Sequence, residues 1–302
     1  MHAGFSTSAS LHLVHARFQP ACVGEGARTR RRWLHLRPRD AVAPDAKVLA
    51  REQVAAAVAA GGYGRREVLV RINGLTTTWG EADVAAAAGM AIDGIVLPKV
   101  ESAATVQQAE AMLIAAGSSA GCRIWCMLET PLGVLRAQEI ASSSQRVGGL
   151  IMGTSDLTKD LGAQHVRDRS PLLAALGHCL LAARAFGLTI LDGVHLDLAD
   201  DEGFLAECRQ GRALGFDGKT LIHPKTIAAA NEVFAPSPAE IEWSRRIILA
   251  HGEALAAGEG VVLVDGKLIE NLHVENAHRL VALADGIAEL ERISSHEAGR
   301  SA

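Results

Sequence analysis

Short runs of β-branched and apolar residues alternate with helical patterns along most of this chain. That alternation demands a parallel sheet layered with helices, because parallel strands need a long crossover between them. The runs fall at residues 68–73, 94–99, 123–128, 149–153, 189–194 and 218–222, each followed by a helical segment. Residues 103–116 give the clearest helix, with apolar positions three and four apart. Eight strand–helix units in ~250 residues close into a barrel. Six are visible, so the sequence predicts an α/β fold, a (β/α)8 TIM barrel whose first one or two units are degraded or missing. The gap coincides with residues 1–39, where no period of 2 or 3.6 is sustained.

Charge sets the same segment apart. It holds seven arginines, among them Arg28, Arg30, Arg31 and Arg32, against the single Glu25, a net +6 in a chain whose total is −4. Residues 40–302 therefore carry −10, which argues against nucleic-acid binding by the main domain. Residues 1–39 read either as an irregular basic tail or as a Ser- and Arg-rich mitochondrial transit segment. The expected organisation is that segment, a barrel over 40–284 with a C-terminal helical or hairpin extension, and a tail over 285–302. No apolar run reaches the ~20 residues of a membrane helix, so no membrane partner is expected. Five cysteines, an odd number without metal-ligand spacing, suit a reducing compartment. A cytoplasmic location is expected, or a mitochondrial one if residues 1–39 are a transit segment.

In a barrel of this class the polar residues that end each strand gather at one mouth, where the loops build the site. Arg71 and Asn73 end one strand, Lys99 and Glu101 the next, Glu129 the next, and Asp156 follows the next through Gly153-Thr154-Ser155. Asp192 and Lys219 stand near later strand ends. Glu129 and Asp156 are the sharpest pair. Two carboxylates without a convergent His or Cys are hard oxygen donors that suit Mg2+, which keeps waters and completes its octahedron from substrate oxygens. The same residues also fit helix caps, Glu129 before Thr130-Pro131 and Asp156 before Leu157, and the two roles are compatible.

The segments VRING (70–74), DGIVLPKVES (93–102), LETPLG (128–133), MGTSDL (152–157) and GFDGKTLIHP (215–224) resemble, in this order, the motifs of the HpcH/HpaI aldolase and citrate lyase β-subunit family. Its citryl-, malyl- and citramalyl-CoA lyases are the branch they most resemble. The resemblance implies a barrel, commonly assembled as a homotrimer, that cleaves or forms a C–C bond between an acyl-CoA and an α-oxo acid. It implies Mg2+ on Glu129 and Asp156, and Arg71 as the catalytic cation for charge developing on oxygen. That agrees with the chemistry, since retro-aldol cleavage leaves a thioester enolate, and a metal and a cation aimed at the reacting oxygens are the strongest stabilisers available. With Arg71, the residues Lys99, Asp192 and Lys219 are expected to bind substrate or CoA, the lysines alternatively serving in salt bridges at the mouth. The implied reaction splits a 3-hydroxyacyl-CoA into an acyl-CoA such as acetyl-CoA and an α-oxo acid. Subsequent thioester hydrolysis stays open, as does an impaired relative that acts as a binding or structural subunit.

Two departures from the family pattern matter. Where relatives carry Asp-Leu-Glu-Asp-Ala-Val, residues 37–42 read Arg-Pro-Arg-Asp-Ala-Val and keep only the final Asp, Asp40, of the three acidic residues. A shifted reading of codons for Asp-Leu-Glu yields Arg-Pro-Arg, so residues 1–39 are read as frameshift-derived or wrongly started, which leaves the strand at 68–72 with an unpaired edge. Trp33-Leu34-His35-Leu36 offers an acceptable second strand, and Leu11-His12-Leu13-Val14 is the only candidate for the first. Near the C-terminus the family's Met-Ile-Asp is Leu268-Ile269-Glu270. The resemblance implies a catalytic acid/base role for Glu270 in a neighbouring subunit's site, the alternative being a surface hairpin carboxylate.

Overall fold

In the computed structural model, which describes residues 13–16, 33–36, 47–64, 66–257 and 262–300, eight parallel strands follow one another in sequence order and close into a barrel. They are β1 (Leu13–Ala16), β2 (Trp33–Leu36), β3 (Glu67–Arg71), β4 (Gly94–Leu97), β5 (Arg123–Leu128), β6 (Val147–Met152), β7 (Thr189–Asp192) and β8 (Gly218–Leu221). The last six are the runs the sequence singles out, with ends moved by no more than two residues.

The expected open edge is absent. β2 pairs with β3 from Trp33 opposite Glu67 to Leu36 opposite Val70, and β1 closes the ring against both β2 and β8. Four residues per strand are enough, and the first strand lies two residues later than the Leu11 start. The rest of residues 1–46, with Asp40 and the basic cluster, lies outside the described residues.

Pleating sorts the side chains. Leu69, Val96, Trp125, Met127, Ile151 and Leu191 form one buried cluster spanning β3 to β7, the barrel interior. The alternate residues of β3, Val68 and Val70, pack outward against Val54, Ala57 and Val58 of the helix Lys47–Ala60. At the opposite end from the mouth an Asp-Gly pair precedes both β4 and β8. The Asp93 carboxylate accepts the Val68 N–H at 2.7 Å, and Asp217 accepts the Ile190 N–H at 2.9 Å, so each ties the start of its strand to the strand before it. The four described cysteines are free and buried, and burial pushes the Cys126, Cys179 and Cys208 thiols up to about 12. They behave as small apolar residues.

The chain divides into two compact units, the barrel over Leu11–Val233 and a second that contains Phe234–Ala302. The second unit takes in the hairpin and helices that follow the barrel, and residue 284 falls inside a helix, Asn271–Arg300. In this second unit the helix Pro238–Ala256 begins with a reciprocal cap: Ser237 Oγ accepts the Glu240 N–H and Glu240 accepts the Ser237 N–H. An antiparallel hairpin, β9 (Val262–Val264) and β10 (Lys267–Ile269), turns through Asp265-Gly266, both at positive φ, the backbone that a two-residue hairpin requires. Ile247, Val264, Ile269, Val274 and Ala277 make the core that joins hairpin and helices. Among the described residues no helix is long and apolar enough to cross a membrane.

Candidate active site at the barrel mouth

The parity of the pleat decides which strand-end side chains meet. Arg71 ends β3 on the face of Leu69, and Glu129 follows β5 on the face of Met127, so both turn toward the mouth. Both are buried, 6% and 2% exposed, and Arg71 Nη2 stands 3.5 Å from Glu129 Oε1. That oxygen also accepts the backbone N–H of Lys99 at 2.9 Å. Lys99 holds a left-handed φ of 47°, an uncommon conformation for a residue with a Cβ. Its amide thus serves Glu129 while its ammonium lies 3.7 Å from Asp156 Oδ1. Asp156 sits in the first turn of the helix Thr154–Asp160, with its side chain 45% exposed.

The electrostatics of Glu129 are opposed. Burial pushes its carboxyl up, Arg71 pulls it down, and the charge of Asp156 raises it again. A carboxylate that is desolvated and repelled by a second carboxylate is relieved by a divalent cation held between them. Among the described residues no three His, Cys, Asp or Glu side chains cluster as metal ligands. Glu129 and Asp156 could offer two carboxylates, a donor set that would suit Mg2+ and its habit of keeping water or substrate oxygens in the remaining positions.

Beyond the mouth end of β3 lies a polar set, buried except at Arg51, that sequence reasoning missed except for Asn73. Asn73 Nδ2 donates to Asp83 at 2.6 Å, its Oδ1 accepts from Lys47 Nζ at 2.9 Å, and Arg51 Nε donates to Asp83 at 2.9 Å. The Lys47 ammonium lies 5.0 Å from the centre of the Trp79 ring. The available signal was spacing: Lys47 and Arg51 are one helical turn apart and present two cations to one side.

Asp192 and Lys219 correct the expectation of substrate contact. They carry the opposite parity to Leu191, so they point out of the barrel, beneath the helix Asp201–Leu214, and neither side chain is exposed. Arg169 Nη1 donates to both Asp192 oxygens at 2.8 and 2.7 Å, and Lys219 Nζ lies 3.3 Å from Asp192 and 2.9 Å from Glu207. His195 Nδ1 stands 3.0 Å from the other Glu207 oxygen. Their charges are spent on one another, beside a cavity of about 370 Å3 lined by Thr154, Arg167, Arg169 and His195. Arg169, Glu207 and His195 gave no sequence signal, since only the folded chain brings them together. Glu270 is exposed at the end of the hairpin in the second unit, its N–H donating to His273 Nδ1 at 3.0 Å.

Residues 14–224 match the model of the HpcH/HpaI aldolase/citrate lyase family, a match that begins upstream of Asp40. The chain is 48% identical over 249 residues to a (3S)-malyl-CoA thioesterase of Cereibacter sphaeroides, covering 82% of this chain and 85% of that protein. It is 34% identical over 275 residues to an L-malyl-CoA/beta-methylmalyl-CoA lyase of the same species, covering 82% and 86%. Among solved structures it resembles the protein CitE of Mycobacterium tuberculosis in complex with magnesium, acetoacetate and coenzyme A, with a TM-score of 0.72 and 28% identity over 92% of this chain and 99% of that one.

Proposed function

The chain belongs to the HpcH/HpaI aldolase/citrate lyase family, and on that premise we propose that it acts on a short 3-hydroxyacyl-CoA thioester of the malyl-CoA type, with Mg2+ held by Glu129 and Asp156. The observation that carries this is the convergence at the ends of β3, β5 and β6: a buried cation 3.5 Å from a buried carboxylate that feels a second carboxylate. When bound, Mg2+ polarises the substrate oxygens it touches. The Arg71 guanidinium, rigid and permanently charged, stands where an oxygen gaining negative charge can be met. The Lys99 N–H keeps Glu129 oriented, and the Lys99 ammonium offers a further cation to an anionic substrate. By resemblance we also assign Glu270 as the acid/base that a neighbouring copy supplies in a homotrimer. The intact set of Arg71, Glu129 and Asp156 favours an active enzyme over an impaired structural relative.

Two reactions can follow from the same bound ester. In hydrolysis, water adds to the thioester carbonyl, the C–S bond breaks, and malate and CoA thiol leave. In C–C cleavage, the 3-hydroxyl loses its proton, the bond to the carbon next to the thioester breaks, and its electron pair passes to the thioester enolate, giving acetyl-CoA and glyoxylate after protonation. The 48% identity to a thioesterase, against 34% to a lyase, supports hydrolysis as the first reading and cleavage as the second. Malyl-CoA with Mg2+ tests both, read by free thiol and by glyoxylate. Thiol without glyoxylate supports hydrolysis, and glyoxylate supports cleavage. The absence of both free thiol and the matching α-oxo acid (glyoxylate from malyl-, pyruvate from citramalyl-, oxaloacetate from citryl-CoA), or turnover that survives both Glu129→Ala and Asp156→Ala, overturns the proposal.

A further inference from the structure

Three glycines step around the barrel mouth, each pressed against the loop that leaves the preceding strand. A Cβ on Gly133, after β5, would lie 2.4 Å from the carbonyl oxygen of Val100, after β4. On Gly153, after β6, it would lie 2.2 Å from Cβ and 2.9 Å from Oε2 of Glu129, after β5. On Gly193, after β7, it would lie 2.1 Å from Oγ1 and 2.5 Å from Cγ2 of Thr154, after β6. Conformation does not demand glycine at Gly153, whose φ of −97° any residue can adopt. Space demands it, and a backbone hydrogen bond from Gly153 N–H to Leu128 O at 2.9 Å holds the two strand ends at that distance.

We infer that Gly153 and Gly193 are positioning residues whose missing side chains leave the room in which Glu129 and Thr154 stand, and so fix where the carboxylates of Glu129 and Asp156 are presented. The link at Gly153 is direct. At Gly193 it passes through Thr154, which opens the helix that carries Asp156 two residues later. The inference rests on Glu129 and Asp156 as the Mg2+ ligands. An alanine at 153 must open the contact with Glu129 from 2.2 Å to at least 3.0 Å, below which real Cβ contacts essentially do not occur. The rim is backbone on both sides, so the carboxylate moves by about 1 Å, a displacement that costs on the order of 10²-fold in rate when the group is catalytic.

The test compares wild type with Gly153→Ala, Gly193→Ala and, as control, Gly177→Ala, which meets nothing within 4 Å on the helix Leu173–Ala185. The probe is Mn2+ alone, titrated by electron paramagnetic resonance, alongside thermal melting and kcat. We expect Gly153→Ala to weaken Mn2+ binding at least tenfold and to lower kcat about 10²-fold, with Gly177→Ala unchanged in both. Gly193→Ala should weaken Mn2+ binding less, and a Thr154→Gly background, which removes the three atoms nearest the new methyl, should relieve most of that loss. If Gly153→Ala does not fold, the Gly193 and Thr154 cycle decides alone. A soluble Gly153→Ala with lowered melting temperature but wild-type Mn2+ affinity and kcat overturns the inference, as does strict additivity in the cycle. A wild-type protein that binds no Mn2+ overturns the ligand assignment, and this inference with it.

Discussion

Replacing Asp192 by Asn should cost stability and leave substrate binding alone. The substitution keeps shape and removes one charge from a set in which the Asp192 and Lys219 side chains are fully buried. Asp192 accepts two hydrogen bonds from Arg169, at 2.8 and 2.7 Å, one from its following amide at 2.7 Å, and faces Lys219 at 3.3 Å. Asn keeps one acceptor oxygen but carries no charge and turns an amide donor toward these cations, so the charge balance of Arg169, held also by Gln210 and the Glu207 carbonyl, and of Lys219 is left to Glu207. Removing one partner of a buried ion pair costs ~3–5 kcal/mol, because the remaining charge is left uncompensated. Glu207 still neutralises one cation here, which favours the lower figure. At ~2–4 °C per kcal/mol for a domain of about this size, melting should fall by roughly 6–12 °C. The assay is thermal and urea unfolding, with KM for malyl-CoA measured at 20 °C, where the variant stays folded. Adding Lys219→Met should return part of the loss, with a coupling of ~1 kcal/mol or more. Wild-type stability combined with a tenfold higher KM would refute the reasoning and restore Asp192 as a substrate contact.

Arg71→Lys keeps the charge but loses the planar fork, so kcat should fall about 10²-fold or more, as for loss of one oxyanion-type donor, and wild-type turnover would make Arg71 structural. Burial, with the Asp93 charge adding to it, pushes the Glu67 carboxyl up to about 8 from an ordinary 4.5, so the folded state holds this proton more tightly than the unfolded chain. Its stabilisation is full below about 4.5 and is lost as pH rises to about 8. Glu67→Gln should flatten the fall of unfolding free energy across that window in urea titrations, and an unchanged slope would exclude Glu67 as its source.

Much of this was legible along the chain. Strands such as β3 to β6 were visible because buried strands carry runs of apolar residues, and Glu129 and Asp156 were visible as the charges that follow two of them. β1 and β2 were faint, since four residues containing His15 or His35 make no such run, and only pairing with neighbours reveals them. Asp192 and Lys219 were misplaced for a reason the sequence did contain. Both follow an inward position by one residue, Asp192 after Leu191 and Lys219 after Gly218, whereas Arg71 and Glu129 follow theirs, Leu69 and Met127, by two. Nearness to a strand end is not enough; parity decides whether a side chain sees the mouth. Arg169, Glu207 and the glycine contacts were beyond reach, because they depend on which loops become neighbours.

The paired Asp-Gly caps carry a last consequence. In a ring of eight strands, the junction of β3 with β4 and that of β7 with β8 lie half a turn apart, so Asp93 and Asp217 pin the floor of the barrel at diametrically opposed points. Anchorage and chemistry are thereby segregated to opposite ends of the same cylinder. Substitutions among the rim loops can retune what is bound while both rivets remain driven home beneath them.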